Sequence, residues 1–291
     1  MSYIQVKDLC FTYEGAAQPV FDHVNFEIDT DWKLGIIGRN GRGKTTLLQL
    51  LMGKYPYQGQ ISAAVDFSYF PYPIADPGQN VWDIVTTICP QALSWQMERE
   101  ISLLGVPTAV LERPFAALSN GEQTKVLLAA LFLNDHRYLL IDEPTNHLDM
   151  PARMLVSAYL KRKPGFILVS HDRSFLDGCI DHVLSINRTT IDVQRGNFST
   201  WRQSNLRREQ AELAQNKKLQ KEITRLDQAA KQSSSWSDAI EKSKKGTRVA
   251  GLRPDRGYIG RKSAKMMKRC LLYTSSALNA WVSARSIPAG V

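Results

Sequence analysis

The sequence predicts an α/β domain built around a phosphate-binding loop, followed by a basic helical segment. Three observations predict it. The run Gly38-Arg39-Asn40-Gly41-Arg42-Gly43-Lys44-Thr45-Thr46 has the spacing Gly-x-x-x-x-Gly-Lys-Thr, between an apolar stretch (Lys33–Ile37) and a helix-forming one (Thr46–Leu51). A second apolar run, Tyr138–Ile141, ends in paired carboxylates, Asp142 and Glu143. The charge is also segregated: residues 1–201 carry a balance of −4 and residues 202–269 one of +12, within a chain of 291 residues and net +9.

Residues 3–28 alternate short β-rich runs with turns, at Tyr3–Val6, Cys10–Tyr13 and Val24–Ile28, which implies a small antiparallel sheet ahead of the loop. Tyr13 stands on the loop-proximal side of that sheet, either as a ring for stacking on adenine or as a buried aromatic. In the loop, Gly38, Gly41 and Gly43, with Asn40 among them, let successive N–H groups curl around phosphate oxygens where a Cβ would clash. Lys44 adds a full positive charge beside the β- and γ-phosphates, and the Thr45 hydroxyl is the ligand type that holds Mg²⁺. Thr46 follows on a helix whose N-terminal dipole adds to the anion site.

Further along, Ile61–Phe70 reads as strands and Tyr69-Phe70-Pro71-Tyr72-Pro73 as a rigid loop. Val81 to Arg113 is amphipathic and helical, broken at Pro90 and Pro107. Ser119 is a natural N-cap for the apolar helix Thr124–Leu133, with Glu122 closing a capping box. A helix start bearing Ser119 and Gly121 is also an anion site, and the two roles are compatible. At the end of its strand Asp142 is placed to hold Mg²⁺ with Thr45, and Glu143 to polarise an attacking water. Phe166–Ser170 is another buried strand, ending at His171. Open α/β sheets meet their ligands at the C-terminal edges of parallel strands, which favours a γ-phosphate contact for His171 over a structural role.

Composition excludes some classes. The longest apolar run, Val126–Leu133, is eight residues, far short of the roughly 20 that span a bilayer. Met1–Gln5 lacks the basic and apolar regions of a signal peptide. The four cysteines, Cys10, Cys89, Cys179 and Cys270, form no C-x-x-C pair, and reduced thiols in a cytoplasmic protein account for them most simply.

Taken together, Gly38–Thr45, Leu118–Gln123, Leu140–Glu143, Thr145–Asp149 and Ser170–Asp172 resemble the ABC ATPase superfamily in order and separation. Thr145-Asn146-His147-Leu148-Asp149 is similar to the form typical of the ABC-F branch, whose members lack membrane domains and act on ribosomes. Tyr69-Phe70-Pro71 and the downstream segment look most like the antibiotic-resistance, ribosome-protection members (the Lsa-like group). The resemblance implies a mixed-sheet core with an antiparallel β subdomain and a helical subdomain, then a helical-hairpin linker. It implies that Tyr13 stacks adenine, that Lys44 and Thr45 hold the phosphates and Mg²⁺, and that Asp142 serves the metal. By the same resemblance Glu143 serves the water, His171 the γ-phosphate, and Ser119 and Gly121 the γ-phosphate held by a partner ATPase domain. Where the family usually has Gln, this chain has Tyr72, so a Gln ligand to Mg²⁺ is not expected here.

The basic segment begins with helix formers, Trp201 to about Lys231, in which Leu219, Ile223, Leu226 and Ala230 recur at coiled-coil spacing. Ser233-Ser234-Ser235 is expected to interrupt the helix, and Gly246–Pro254 to form the tip of an antiparallel hairpin. A surplus of +12 over residues 202–269 favours a polyanion partner over an inert solvated arm. In ABC-F proteins this stretch is the linker that reaches toward tRNA in the ribosome. The tail, 270–291, turns small, apolar and Ser-rich, and is expected to lie outside the native frame of a chain lacking a second ATPase domain. On that expectation, activity requires a homodimer or a separate second half. The rival reading is the nucleotide-binding subunit of a membrane ABC transporter, which predicts no basic hairpin.

Overall fold

The computed structural model describes residues 2–134, 137–187 and 190–243, with Arg261, Lys265 and Lys268 beyond them. Two compact units divide the chain, residues 1–203 and 204–291. The expected hairpin tip at 246–254 and the tail at 270–291 lie outside the described residues.

The first unit opens with β1 (Tyr3–Phe11) and β2 (Phe21–Asp29), which form an antiparallel sheet with β4 (Gln58–Ala63) in the order β2-β1-β4. β1 buries alternate residues, Ile4 and Val6, as a one-sided strand must. The two runs read separately at Tyr3–Val6 and Cys10–Tyr13 are one strand, which ends at Phe11. No turn separates them because Asp8 takes a left-handed backbone (φ 52°) with its N–H bonded to Asn25 Oδ1, which makes an irregularity in the ladder and lets pairing resume.

The main sheet has β3 (Lys33–Ile37), β5 (Asp66–Phe70), β6 (Arg137–Asp142), β7 (Phe166–Val169), β8 (His182–Ile186) and β9 (Ile191–Arg195) in the order β5-β6-β7-β3-β8-β9. All pairs are parallel except β8–β9. β6 and β7 are near-continuous apolar runs because both of their faces are covered. Successive side chains alternate between two cores. Tyr138, Leu140, Ile167 and Val169 pack with α1 (Lys44–Leu51) and the antiparallel sheet. Leu139, Ile141, Phe166 and Leu168 pack with the helical side, which holds α2 (Val81–Ile88), α3 (Ser94–Leu103), α4 (Asn120–Phe132), α5 (Met150–Lys161) and α6 (Arg173–Cys179). The predicted break at Pro90 separates α2 from α3, and Pro107 precedes a 3₁₀ turn, Thr108–Glu112.

Helix α7 (Phe198–Ser243) begins in the first unit, where Ser199 N–H donates to Asp177 Oδ1 at 2.7 Å. It does not break at Ser233–Ser235. Exposed serine costs an α-helix only about 0.5 kcal/mol, and the Ser235 hydroxyl turns back to the Gln232 carbonyl at 2.9 Å. Within the second unit Leu219, Ile223, Leu226 and Ala230 are less exposed than their neighbours, as their spacing predicts. The described helix carries only part of the basic surplus; most of it falls at 244–269, where only Arg261, Lys265 and Lys268 are among the described residues.

One polar cluster joins α3 to α5. Glu100, 2% exposed, accepts hydrogen bonds from Tyr159 OH (2.7 Å), Arg99 Nη2 (3.0 Å) and Lys163 Nζ. Burial alone would raise this carboxyl, but the three donors outweigh it and hold it below its ordinary value of 4.5. Its stabilisation is therefore complete above the unfolded value and lost as pH falls through the lower folded one. Glu100→Gln is expected to cost about 2 kcal/mol in chemical denaturation at neutral pH. Its loss of stability between pH 5 and pH 3 should be shallower than that of the wild type.

Candidate functional site

The phosphate loop leaves β3 at its C-terminal end and enters α1 at Lys44. Gly43 caps the helix with no side-chain hydrogen bond, so the first-turn N–H groups face outward as donors for an anion. Gly41 and Gly43 hold φ of 76° and 89°. A Cβ on Gly43 would lie 2.5 Å from Val20 Cγ1 and 3.0 Å from Phe21 Cζ, whereas one on Gly41 would meet nothing within 4 Å. Val20 and Phe21 thus form a wall against which the cradle is pressed. Asn40 is exposed on the loop. Lys44 Nζ donates to the carbonyls of Gly38 (3.0 Å) and Arg39 (3.3 Å), folding the loop over its own lysine. Burial pushes the Lys44 amine below its ordinary range, against the pull of Glu143 and Asp142.

Two further strands complete the arrangement. Asp142, the last residue of β6, accepts from Thr45 Oγ1 at 2.8 Å and from Tyr69 OH at 3.0 Å, both through Oδ2. Its Oδ1 is buried without a hydrogen-bond partner. An orphan carboxylate oxygen beside a threonine hydroxyl is a hard-oxygen pair that suits Mg²⁺, so the residues fit the ion that the resemblance implies. Tyr69 stays protonated, since burial and the Asp142 charge both push its phenol up. Glu143 sits in a left-handed backbone conformation, φ 49°, just past the strand. Its Oε2 accepts the backbone N–H of His171 at 3.3 Å, and its Oε1 lies 3.3 Å from His171 Nε2 without making a hydrogen bond. Burial pushes the Glu143 carboxyl above its ordinary range, with His171 and Lys44 opposing the shift.

The structure therefore brings Lys44, Thr45, Thr46, Asp142, Glu143 and His171 to one edge of the sheet. Tyr13 is attached to them: its OH lies 2.8 Å from Thr46 Oγ1, and its ring, 39% exposed, packs edge-on against Phe11 and Tyr55. It is neither a fully buried aromatic nor a free one. Ser119 and Gly121 stand apart and share no hydrogen bond with the loop among the described residues. The predicted capping box is present, with Glu122 N–H donating to Ser119 Oγ and Ser119 N–H to Glu122 Oε2. A Cβ on Gly121 would lie 3.4 Å from the His147 carbonyl, so this turn packs on the loop after β6.

Sequence reasoning missed Tyr69 as a site residue. The signal that finds it is strand pairing, since Tyr69 opposes Leu140 two residues before Asp142. Tyr72, at the position of the family's Gln, packs partly buried on the helical-side core.

A family model described as ABC transporter matches residues 21–146. The chain is 28% identical over 240 residues to ABC transporter F family member 5 of Arabidopsis thaliana, covering 80% of this chain and 34% of that protein. It is 34% identical over 235 residues to the ribosome protection protein VmlR of Bacillus subtilis, covering 78% of this chain and 39% of that protein. The chain thus spans a little over a third of the length of these curated relatives. A solved ATP-binding subunit of an ABC transporter matches in fold, at TM-score 0.57 and 23% identity, over 69% of this chain and 92% of that one.

Gly43→Ala combines a backbone strain with a clash against Val20 and Phe21, and is expected to cost at least about 2 kcal/mol in denaturation. It should also abolish binding of a fluorescent ATP analogue. Gly41→Ala, strained but unobstructed, should cost about 1 kcal/mol and fold with a largely intact loop.

Proposed function

We propose that this chain is an ATPase of the ABC type that binds Mg·ATP, hydrolyses it at a composite site, and acts on the ribosome in the manner of ABC-F proteins. The observation that carries the first part is the joining of the phosphate loop to Asp142 through Thr45, with Glu143 and His171 alongside. Lys44 and the loop N–H groups hold the triphosphate. Thr45 and Asp142 would hold Mg²⁺, which would supply charge neutralisation on the phosphates. Glu143 accepts a proton from the attacking water, and its raised carboxyl makes it a better base than an ordinary glutamate. His171 orients Glu143 and reaches toward the γ-phosphate.

The Ser119–Gly121 turn belongs to a separate surface. The γ-phosphate on one loop is therefore met by the turn of a second ATPase domain, either another copy or a separate half. Catalysis by positioning and charge neutralisation needs both faces at once. Ribosome action is supported by the likeness to VmlR, itself a ribosome protection protein, and by the +12 balance of residues 202–269, which suits rRNA or tRNA phosphates. No helix among the described residues is long and apolar enough to cross a membrane. A cytoplasmic location goes with action on the ribosome, and a role in antibiotic resistance follows if the ribosome is what it protects.

Hydrolysis per mole of protein is expected to rise with protein concentration below the dimer Kd. Glu143→Gln should lower the rate by at least about 100-fold while retaining Mg·ATP. The wild-type rate should fall toward acid, beginning above the ordinary glutamate value of 4.5. A rate per mole constant down to nanomolar protein refutes the composite site. For the ribosome, co-sedimentation should weaken steeply with salt; ribosomes that leave the chain in the supernatant at low salt refute that part alone.

A further inference from the structure

A second cluster of ligand-type side chains lies in the antiparallel sheet, away from the carboxylates of the nucleotide site. Pairing between β1 and β2 is regular at Leu9↔Val24 and resumes at Phe11↔Phe21. One residue of β1, Cys10, therefore faces two of β2, Asp22 and His23. That is a β-bulge, and it bends the strand so that neighbours which would normally point to opposite faces share one side. The bulge residue is His23, at φ 49°. Cys10 Sγ, an Asp22 carboxylate oxygen and a His23 ring nitrogen all lie within 4.8 Å of one another.

We propose that Cys10, Asp22 and His23 form a binding site for a divalent transition-metal ion of the zinc class. The donor set is one thiolate, one imidazole and one carboxylate, a borderline-soft combination that suits zinc and leaves a fourth position for water. The histidine is already oriented for it. His23 Nδ1 is bonded to Asp8 Oδ1 at 2.6 Å, which directs Nε2 outward, 3.9 Å from Asp22 Oδ1. A carboxylate behind a histidine, fixing the ring through one nitrogen while the other takes the metal, is the usual outer support of such ligands. The sulfur is addressed too, because His23 N–H donates to Cys10 Sγ at 3.2 Å and so complements the charge of a coordinated thiolate. Asn25 braces both bulged segments, accepting from Asp8 N–H and donating to the His23 carbonyl at 3.0 Å. Tetrahedral zinc needs ligand atoms about 3.3–3.6 Å apart. Asp22 and His23 are exposed side chains, free to rotate toward that spacing.

The site also has a mechanical address. Asp22 follows Phe21, whose ring packs against Gly43 of the phosphate loop, so a bound ion would fasten the bulge directly behind that wall.

The test is titration of the full chain with Co²⁺, a spectroscopic stand-in, followed by displacement with Zn²⁺. The expected result is one equivalent bound, with a thiolate-to-cobalt charge-transfer band and the visible bands of tetrahedral coordination, both removed by Zn²⁺ and neither by millimolar Mg²⁺. Cys10→Ser should abolish the charge-transfer band and Cys270→Ser should leave it. His23→Asn and Asp8→Asn use a residue type that tolerates the left-handed backbone at those positions. Each should weaken Zn²⁺, the Asp8 variant by about 10- to 100-fold. Asp22→Asn, on an exposed side chain, should weaken binding without disturbing the fold, and thermal melts of the metal-free variants check this. Absence of a charge-transfer band overturns the proposal, as does a band that survives Cys10→Ser or disappears with Cys270→Ser. Zn²⁺ affinity indifferent to His23→Asn and Asp22→Asn overturns it equally.

Discussion

The hydrogen bond from Thr45 to Asp142 joins segments 97 residues apart, and it depends on parallel register. Asp142 lies opposite Val169, and Val169 opposite Ile36, so β6, β7 and β3 end level at one edge. With β7 between them, β6 and β3 are two strand spacings apart, about 9.5 Å. The loop closes that gap by turning back over the edge through its left-handed glycines. A one-residue slip of β6 would carry Asp142 to the opposite face and put Ile141 or Glu143 beside Thr45. The alternation of Tyr138 and Leu140 with Leu139 and Ile141 between two separate cores prevents that slip. The chemistry of the edge is therefore secured by apolar packing several residues below it.

Burial also sets the charges at that edge. It lowers the Lys44 amine and raises the Glu143 carboxyl, so both groups sit in a region that resists their charged forms. The attraction of Lys44 to Glu143 and Asp142 restores part of the loss, whereas the Asp142 charge repels Glu143 and adds to its upward shift. Two buried carboxylate oxygens at this edge, Asp142 Oδ1 and Glu143 Oε1, have no hydrogen-bond partner, whereas the other buried side-chain polar atoms among the described residues are satisfied. Such an orphan costs stability unless a cation or donor arrives. The fold thus holds this edge in a condition that bound phosphate and metal would relieve, the opposite of a site optimised for the free protein.

Features carried by local spacing were legible in the sequence. The glycine loop, the strand ending in Asp142 and Glu143, and the Ser119–Glu122 box are each encoded within a few residues, where one type of backbone geometry admits one pattern. What depends on register was not. Tyr69 reaches Asp142 only because β5 pairs with β6, and the Cys10–His23 bulge exists only as a mismatch between two strands. The serines at 233–235 misled for the reverse reason: a local preference for turns was overridden by a long helix, in which the exposure of Ser234 and Ser235 makes those two cheap.

The capping box bears on how two ATPase faces can meet. Capping and anion binding were compatible in the sequence, but the geometry makes them competitors. Glu122 already takes both donors of Ser119, its N–H at 2.9 Å and its hydroxyl at 2.7 Å, and those bonds hold the carboxylate below its ordinary range. The turn therefore carries its own anion. An approaching γ-phosphate meets a carboxylate in place unless it comes to the N–H groups of Asn120 and Gly121, which lie outside the box, or draws Ser119 away from Glu122. Gly121 is suited to the first route, since it has no side chain to block the approach; a Cβ there would lie 3.4 Å from the His147 carbonyl, in the loop that follows Glu143. In the proposed composite site, contact at that turn would therefore be coupled, through that loop, to the position of Glu143.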